Sequence, residues 1–350
     1  PDYSDYPFNS TDGFIWREQM IGIISYLVFF LTIGFVLAIA VLGLNLQWGY
    51  TGLFNGGVSA FFGAGAYGVI LFGGSNKAGQ LIGLGLPYPF AVAGAVLLAG
   101  LLALIVGLIT TRLRHDYLAI ATFGVAIAVE NFARNAGPIT GGAKGLRGFE
   151  RPFESAINDP FWFNLAYLIF VLVVLIIVYN ILESIARSPY GRLLRAIRED
   201  EVAAQSLGKS PARVRHQAFI LGSMIMGLSG ALYATFYAFI SPQDILPILT
   251  FQIWSMLIVG GSGNNRGAVL GTLVVWAGWV GSGWALTKFA PVEAQLYVGT
   301  IQFIMIGLII VLTLLTKPKG LLPEQLIISH SLDWTESDRD CANCKKQVGL

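Results

Sequence analysis

Charge is scarce in this chain of 350 residues: 12% are Asp, Glu, Lys or Arg, against 55% hydrophobic. Soluble domains carry about 25% charged residues, so a soluble fold is excluded and an integral membrane protein is indicated. Cysteine is scarcer still. Cys341 and Cys344 are the only two, both near the C-terminal end, so no disulfide framework braces the rest. The net charge of +2 is spread over short clusters, which leaves no basic surface for a nucleic acid. HExxH and paired-carboxylate motifs are absent. The CANC segment resembles half a zinc site, but only His330 is placed to join it, so no metal centre is read. The sequence begins PDYSDYPF, with neither an initiator Met nor a basic region before an apolar run, and no signal peptide is read.

What the chain does have is long uncharged stretches. From Gln19 to Asn76 nothing is charged; a helical span needs about 20 residues, so two passes are predicted, broken near Asn45, Gln47, Trp48 and Gly49. The second, GYTGLFNGGVSAFFGAGAYG, has glycine at 49, 52, 56, 57, 63, 65 and 68. Such a stripe serves either close helix packing or a broken helix lining a pathway, and both readings stay open. Pro87 and Pro89 open a third pass that ends at Arg112 and Arg114. Tyr117 to Phe132 makes a fourth, closed by Glu130, Asn131 and Arg134, and Phe161 to Leu182 a fifth. Further passes are read at about 217–240, 268–286 and 294–315, while Phe251 to Val259 is too short to cross alone. That segment stops at GGSGNNRG and parallels the short glycine-bounded one in the first half, as a weak internal repeat would.

The pattern predicts an all-α polytopic membrane protein with about eight spans plus short or broken helices. Residues 1–18 read as an N-terminal tail outside the cytoplasm, 19–316 as the membrane domain and 317–350 as a C-terminal tail, its end expected to be disordered. Alternate threading puts Arg112, Arg114, the 187–215 loop, Arg266, Lys317 and Lys319 on one face, which the positive-inside rule assigns to the cytoplasm. It leaves the glycine- and proline-rich loop at 135–160 outside despite its three basic residues.

Arg187 to Arg215 is a polar island between two apolar runs, with seven of the 22 Lys and Arg residues and the acids Glu199, Asp200 and Glu201. Ser188 and Pro189 fit the N-cap and first turn of a helix, and Leu193, Leu194, Ile197, Ala204 and Leu207 recur at helical spacing. Gly208 fits its C-terminal cap, and Ser210 with Pro211 starts the next helix. Such an amphipathic helix seats one side on its own bundle and offers the other to a soluble partner; a solvated positive-inside loop is the plainer alternative. Two motifs, one inside this region and one in the apolar run after it, fail on chemistry. AAQSLGKS fits a loosened phosphate-binding loop but follows a charged helix instead of a buried strand. GLSG at 227–230 offers Ser229 as a nucleophile, yet His216 lies 13 residues away on the same helix, about 20 Å at 1.5 Å per residue.

The island sequence SPYGRLLRAIREDEVAAQSLG and the following GLSGALYA resemble the coupling loop and next span of permease subunits in branched-chain amino-acid-type ABC importers. LRHDYLAIATFG, ITGGAKGL, LIVGGSGNNRGAVLGT and TKPKGLLP extend the resemblance from Gly49 to Pro323. Asn55 and Val58 depart from the serine and histidine that such permeases often show, and permeases for urea share the architecture, so the substrate stays open. The resemblance implies an importer of branched-chain or other neutral amino acids in a bacterial inner membrane, the N-terminus outside and the C-terminus cytoplasmic. Implied partners are a homologous second permease, a periplasmic substrate-binding protein, membrane lipid and two ATP-binding subunits. ATP and Mg would be used by those subunits, with no cofactor on this chain and no catalysis by it. The island would then supply a cytoplasmic coupling helix, with Arg195, Arg198, Glu199, Asp200, Glu201, Ala203, Ala204 and Gly208 at or near the ATPase contact. Replacing Glu201 with Lys is expected to abolish ATP-driven uptake while leaving the protein folded in the membrane. Asn55, Ser59, Glu130 and Gln252 are the polar candidates for the substrate path. The alternatives are a urea or short-chain amide permease and, from another class, an ion-coupled secondary transporter, against which the near absence of ionisable residues inside the spans counts.

Overall fold

The structure, a computed structural model, describes residues 10–74, 83–110, 115–147, 151–152, 157, 159–289, 291 and 298–324. Arg112, Arg114, His330, Cys341 and Cys344 lie outside the described residues. Helix α1 (Ser10–Leu44) starts within the stretch read as an N-terminal tail and does not stop at Asn45. It widens there into a π-helical turn, Asn45–Tyr50. Residues 51–57 are unwound, and α2 (Val58–Gly73) resumes for 16 residues, about 24 Å at 1.5 Å per residue and short of the roughly 30 Å hydrocarbon layer.

The chain continues through α3 (Tyr88–Thr110), α4 (His115–Asn135), the short α5 (Gly137–Thr140), strand β1 (Leu146–Arg147) and α6 (Pro160–Arg187). Then come α7 (Pro189–Glu199), α8 (Glu201–Ser206), α9 (Pro211–Tyr237), strand β2 (Phe239–Ile240), α10 (Ile248–Gly260), α11 (Asn265–Phe289) and α12 (Val298–Thr316). Among the described residues six helices are long and apolar enough to cross a membrane: α1 with its π turn, α3, α4, α6, α9 and α11. Helices α2, α10 and α12 are shorter and also apolar. Two of the expected passes are therefore these short helices α2 and α12, and α10 is the segment read as too short to cross alone.

Residue size decides which helices sit at the centre. Helices α1, α2, α3 and α9 pack together, with α6 and α11 against α1 and with α10 and α12 beside α11. At the α2–α9 crossing the backbones touch: a Cβ on Gly65 would lie 1.9 Å from the Gly227 carbonyl oxygen, and one on Gly230 would lie 1.9 Å from that of Phe62. Only glycine permits that approach. Outer helices are apolar on both sides for different reasons. In α6, Phe163, Tyr167, Val171, Leu175, Val178 and Leu182 form a buried stripe at steps of three and four, while Val173, Ile176, Ile177 and Ile181 are exposed. Lipid is the solvent that accepts such a face.

The two ends differ in chemistry. At one, β1 pairs antiparallel with β2, Leu146 opposite Ile240, tying the 135–160 loop to the end of α9. Arg147 lies over the Phe239 ring and Arg151 over that of Phe163, so basic residues of this loop rest on aromatic faces. The opposite end gathers the π turn, α7, α8, the α10–α11 turn and residues 317–324. That last segment is not a free tail. Leu321 N–H donates to the Val259 carbonyl (2.9 Å) and Leu322 N–H to that of Gly260 (3.0 Å), a strap across the end of α10.

Candidate functional site

An unwound segment within a helical bundle must satisfy its backbone groups by other means. Residues 51–57 do so in part through side chains of α4 and α10 and through Asn55 of the segment itself. Gly52 and Leu53 N–H still reach back to the carbonyls of Trp48 and Gln47. Gly56 N–H donates to Thr122 Oγ1 of α4 (2.9 Å), and Gly57 N–H to Asn55 Oδ1 (2.7 Å). The carbonyl of Asn55 accepts from Trp254 Nε1 of α10 (2.9 Å). Gln47 is the hub: its Nε2 donates to the Phe219 carbonyl and to Ser223 Oγ on α9, and its Oε1 accepts from Asn55 Nδ2 (2.8 Å). Asn45 pins the π turn to the start of α11, donating to Asn265 Oδ1 (2.9 Å) and accepting from Gly263 N–H (2.8 Å).

Fixed in this way, the segment presents aromatic rings to an open cleft. Phe54 and Trp254 stack at 4.3 Å between centroids, and Trp48 meets both edge-on at 5.5 and 5.3 Å. Two adjoining cavities of about 610 and 620 Å³ share Trp48, Phe54, Ala119 and Ser262. The larger is walled by Ile120 and Phe123 of α4, Phe251 and Ile258 of α10, and is polar only at Thr250, Ser262 and Lys319. Its chemistry suits a small molecule with an apolar side chain and few polar groups.

The polar candidates read from the sequence take other places. Asn55 is fully buried and bonded to its own chain, behind the cleft. Ser59 is also fully buried; its N–H donates to Thr250 Oγ1 (3.1 Å), and its hydroxyl has no hydrogen-bond partner. Glu130, 7% exposed, is paired with Arg134 one turn on. Gln252 lines a smaller cavity of about 180 Å³ on another face of α10, with Asp244, Tyr233 and Trp276. None of the four lines the aromatic cleft. Trp48, Phe54 and Trp254 do, and nothing in the sequence distinguishes them from other aromatic residues in an apolar chain.

The charged island folds into two short helices, not one. Ser188 Oγ accepts from Gly191 N–H to start α7, and Asp200 breaks the helix because its carboxylate accepts from Val202 and Ala203 N–H (2.9 and 3.0 Å) to start α8. Gly208, at φ +74°, closes α8, and Pro211 opens α9. Leu194, Ile197 and Ala204 are buried against the bundle as expected. Leu207 is not: the break at Asp200 leaves it 80% exposed, beside Val202 at 71%. Glu199, Asp200, Ala203 and Gly208 are exposed as well.

Arg195, Arg198 and Arg215 turn inward, while Arg187, Arg192 and Arg213 stay exposed. Arg198 Nη2 bonds Glu324 (2.9 Å) and Glu199 (2.9 Å), and its Nη1 donates to the Gly49 carbonyl. Burial opposes its charge, but the bonds from Glu199 and Glu324 outweigh that and push its pKa up. Arg195 lies over the Tyr50 ring, 3.3 Å from Glu324 Oε1, and Glu201 pairs with Arg215 at 2.6 Å. Neither tempting motif gains support. Ser229 Oγ donates to the Val36 carbonyl as a packing contact, and AAQSLGKS is the corner between α8 and α9.

A discontinuous helix over an aromatic cleft, a helical plate at one end and lipid-facing flanks describe a transport subunit. Residues 26–316 match the family of branched-chain amino acid transport system permease components. The chain belongs to that family. This permease is 28% identical over 313 residues to the high-affinity branched-chain amino acid transport system permease protein LivM of Escherichia coli, covering 83% of this chain and 69% of that one. Against the probable LivM of Methanocaldococcus jannaschii it is 27% identical over 325 residues, 82% of this chain and 90% of that one. It spans 66% of the LivM of Salmonella typhimurium. A shorter match, 29% over 136 residues, links it to LivH of Escherichia coli, covering 39% of this chain and 40% of that one. No solved structure matches the chain.

Proposed function

We propose that this permease is one of two membrane subunits of an ATP-driven importer for branched-chain or other neutral amino acids. The aromatic cleft forms its half of the translocation path, and a second, homologous permease closes it; the similarity to both LivM and LivH supports such a pair. A periplasmic binding protein delivers substrate at the end carrying β1 and β2, and two ATP-binding subunits, which use ATP and Mg, dock on α7 and α8. In this reading the N-terminus is outside and the C-terminus cytoplasmic, as the basic residues near α7, α9, α11 and α12 favour. The chain itself holds no cofactor and hydrolyses nothing.

One observation carries the reading beyond the family: the π turn and the unwound segment after it set Trp48 and Phe54 against Trp254 in an apolar cleft. Aliphatic side chains gain from such a surface at about 25 cal/mol per Å². Urea, all polar, gains nothing there, so the lining favours an amino acid over urea or a short amide. An exposed apolar pair, Val202 and Leu207, supports a protein partner on α8. On this account Asn55 holds the wall in place, and substrate meets aromatic and threonine side chains. ATP binding and release bring the ATPases together and apart, and α7 and α8 pass that motion to the bundle as a shift between outward and inward access.

Uptake by the complete complex in proteoliposomes, with ATP inside and binding protein outside, tests this reading. Labelled leucine, or another neutral amino acid, is expected to accumulate only with ATP. Accumulation of urea alone would move the substrate class. Accumulation that ignores ATP and follows an ion gradient would overturn the proposal.

A further inference from the structure

We propose that Arg198, clamped by Glu324, is the positioning residue that carries movement of α7 and α8 into the wall of the aromatic cleft. The proposal rests on the reading of α7 and α8 as the ATPase seat and adds a route from that seat to the substrate path.

Arg198 is the last arginine of α7, yet its guanidinium points away from the exposed face and into the bundle. Nη1 donates to the Gly49 carbonyl, Nη2 reaches Glu324 Oε2 at 2.9 Å, and Nε with Nη2 holds Glu199 Oε1 at 3.2 and 2.9 Å. The stem also has a fixed seat. Arg198 Cγ lies 3.0 Å from the point where a Cβ on Gly52 would stand, and Gly52 has φ +72°, so the stem packs directly on backbone that favours glycine. Gly49 and Gly52 both lie within the four residues after Trp48, and Gly52 N–H bonds the Trp48 carbonyl (2.9 Å). Arg198 itself lines the cavity that holds Trp48 and Phe54. One side chain thus touches both the plate and the backbone that aims two of the three cleft rings.

Glu324 supplies the opposing anchor. The strap before it is bonded through Leu321 and Leu322 to Val259 and Gly260 at the end of α10, and the Pro323 carbonyl accepts from Asn264 Nδ2 (3.1 Å). The third ring, Trp254, is on α10. Arg198 therefore sits between the two walls of the cleft, one reached through Gly49 and Gly52 and the other through Glu324. With 24% of the Arg198 side chain and 21% of the Glu324 side chain exposed, the pair is partly buried and its geometry is held. A planar fork can hold a carbonyl and a carboxylate in fixed directions at once; a lysine ammonium cannot hold both so rigidly. When α7 shifts, both walls must follow or the clamp must open.

The test uses the full importer in proteoliposomes, comparing wild type with Glu324→Gln, Arg198→Lys and the double variant. ATP hydrolysed per labelled leucine accumulated is the readout, with co-purification of the ATPases as the measure of assembly. Both single variants are expected to assemble and to hydrolyse several-fold more ATP per leucine. The double variant is expected to be no worse than the poorer single, because both changes open one clamp. A ratio equal to wild type in both singles would overturn the proposal, as would multiplying effects in the double variant or loss of assembly in both singles. If wild type itself fails to accumulate neutral amino acids, the importer reading falls instead, so the two failures are distinguishable.

Discussion

Replacing Asn55 with alanine separates a wall residue from a substrate ligand. The side chain is fully buried and makes two bonds, donating to Gln47 Oε1 at 2.8 Å and accepting from Gly57 N–H at 2.7 Å. Truncation orphans both partners. Gln47 has no relief by flipping its amide, since Nε2 already donates to the Phe219 carbonyl and to Ser223 Oγ. An unsatisfied buried group costs about 1–3 kcal/mol, although side-chain bonds between membrane helices average nearer 0.6 kcal/mol because alternatives are found. The locked hub removes those alternatives, and we expect a loss of roughly 2–4 kcal/mol. The Trp254 bond goes to the Asn55 carbonyl and survives the substitution, so the aromatic wall keeps its place. In detergent micelles the melting temperature should fall by several degrees, while uptake retains its KM for leucine. Asn55→Asp should be no better, because it sets an oxygen against Gln47 Oε1. A KM raised several-fold at an unchanged melting temperature would refute the argument and return Asn55 to the substrate path.

Other consequences follow from the packing and the plate. Gly65→Ala drives a Cβ to 1.9 Å from the Gly227 carbonyl oxygen; overpacking of this kind costs about 1–3 kcal/mol or more, and a lower melting temperature and yield of folded protein should report it. Leu207→Glu alters a side chain that is 80% exposed and touches no core, so the isolated permease should melt as wild type while ATPase co-purification is lost. Glu201→Lys sets a second cation against Arg215, whose side chain is only 9% exposed. It should destabilise the α8–α9 corner by about 1–3 kcal/mol and abolish ATP-driven uptake, both measurable on one preparation.

Much of this architecture is legible in the sequence because lipid imposes a simple rule. Uncharged runs must be helices, and their lengths reveal α1, α3, α4, α6, α9 and α11. The glycine stripe at 49–68 supported two readings, and they divide by position. Gly65 packs against α9, whereas Gly49 and Gly52 lie beside the cleft. The split of the island at Asp200 was harder to see. Ile197 and Ala204 are seven residues apart and continue a helical stripe through the acids, while a capping aspartate among glutamates is inconspicuous. The aromatic cleft could not be read at all, since Trp254 lies about two hundred residues from Trp48 and Phe54 and only tertiary packing unites them. Polar residues in apolar spans drew attention as ligands, yet Asn55 satisfies backbone that the unwound segment leaves exposed. Glu324 fell in a stretch read as tail because Gly320, at φ +74°, turns the chain back onto α10 through backbone bonds that side-chain patterns do not encode.

The most direct test of the central claim is the accessibility of position 54. With Cys341 and Cys344 replaced by serine, Phe54→Cys can be alkylated in the assembled importer with and without leucine-loaded binding protein and trapped ATP. The alkylation rate is expected to change severalfold with the nucleotide state and to fall when substrate occupies the cleft. A rate indifferent to both would contradict that claim, placing Phe54 against lipid or inert packing instead of on the substrate path.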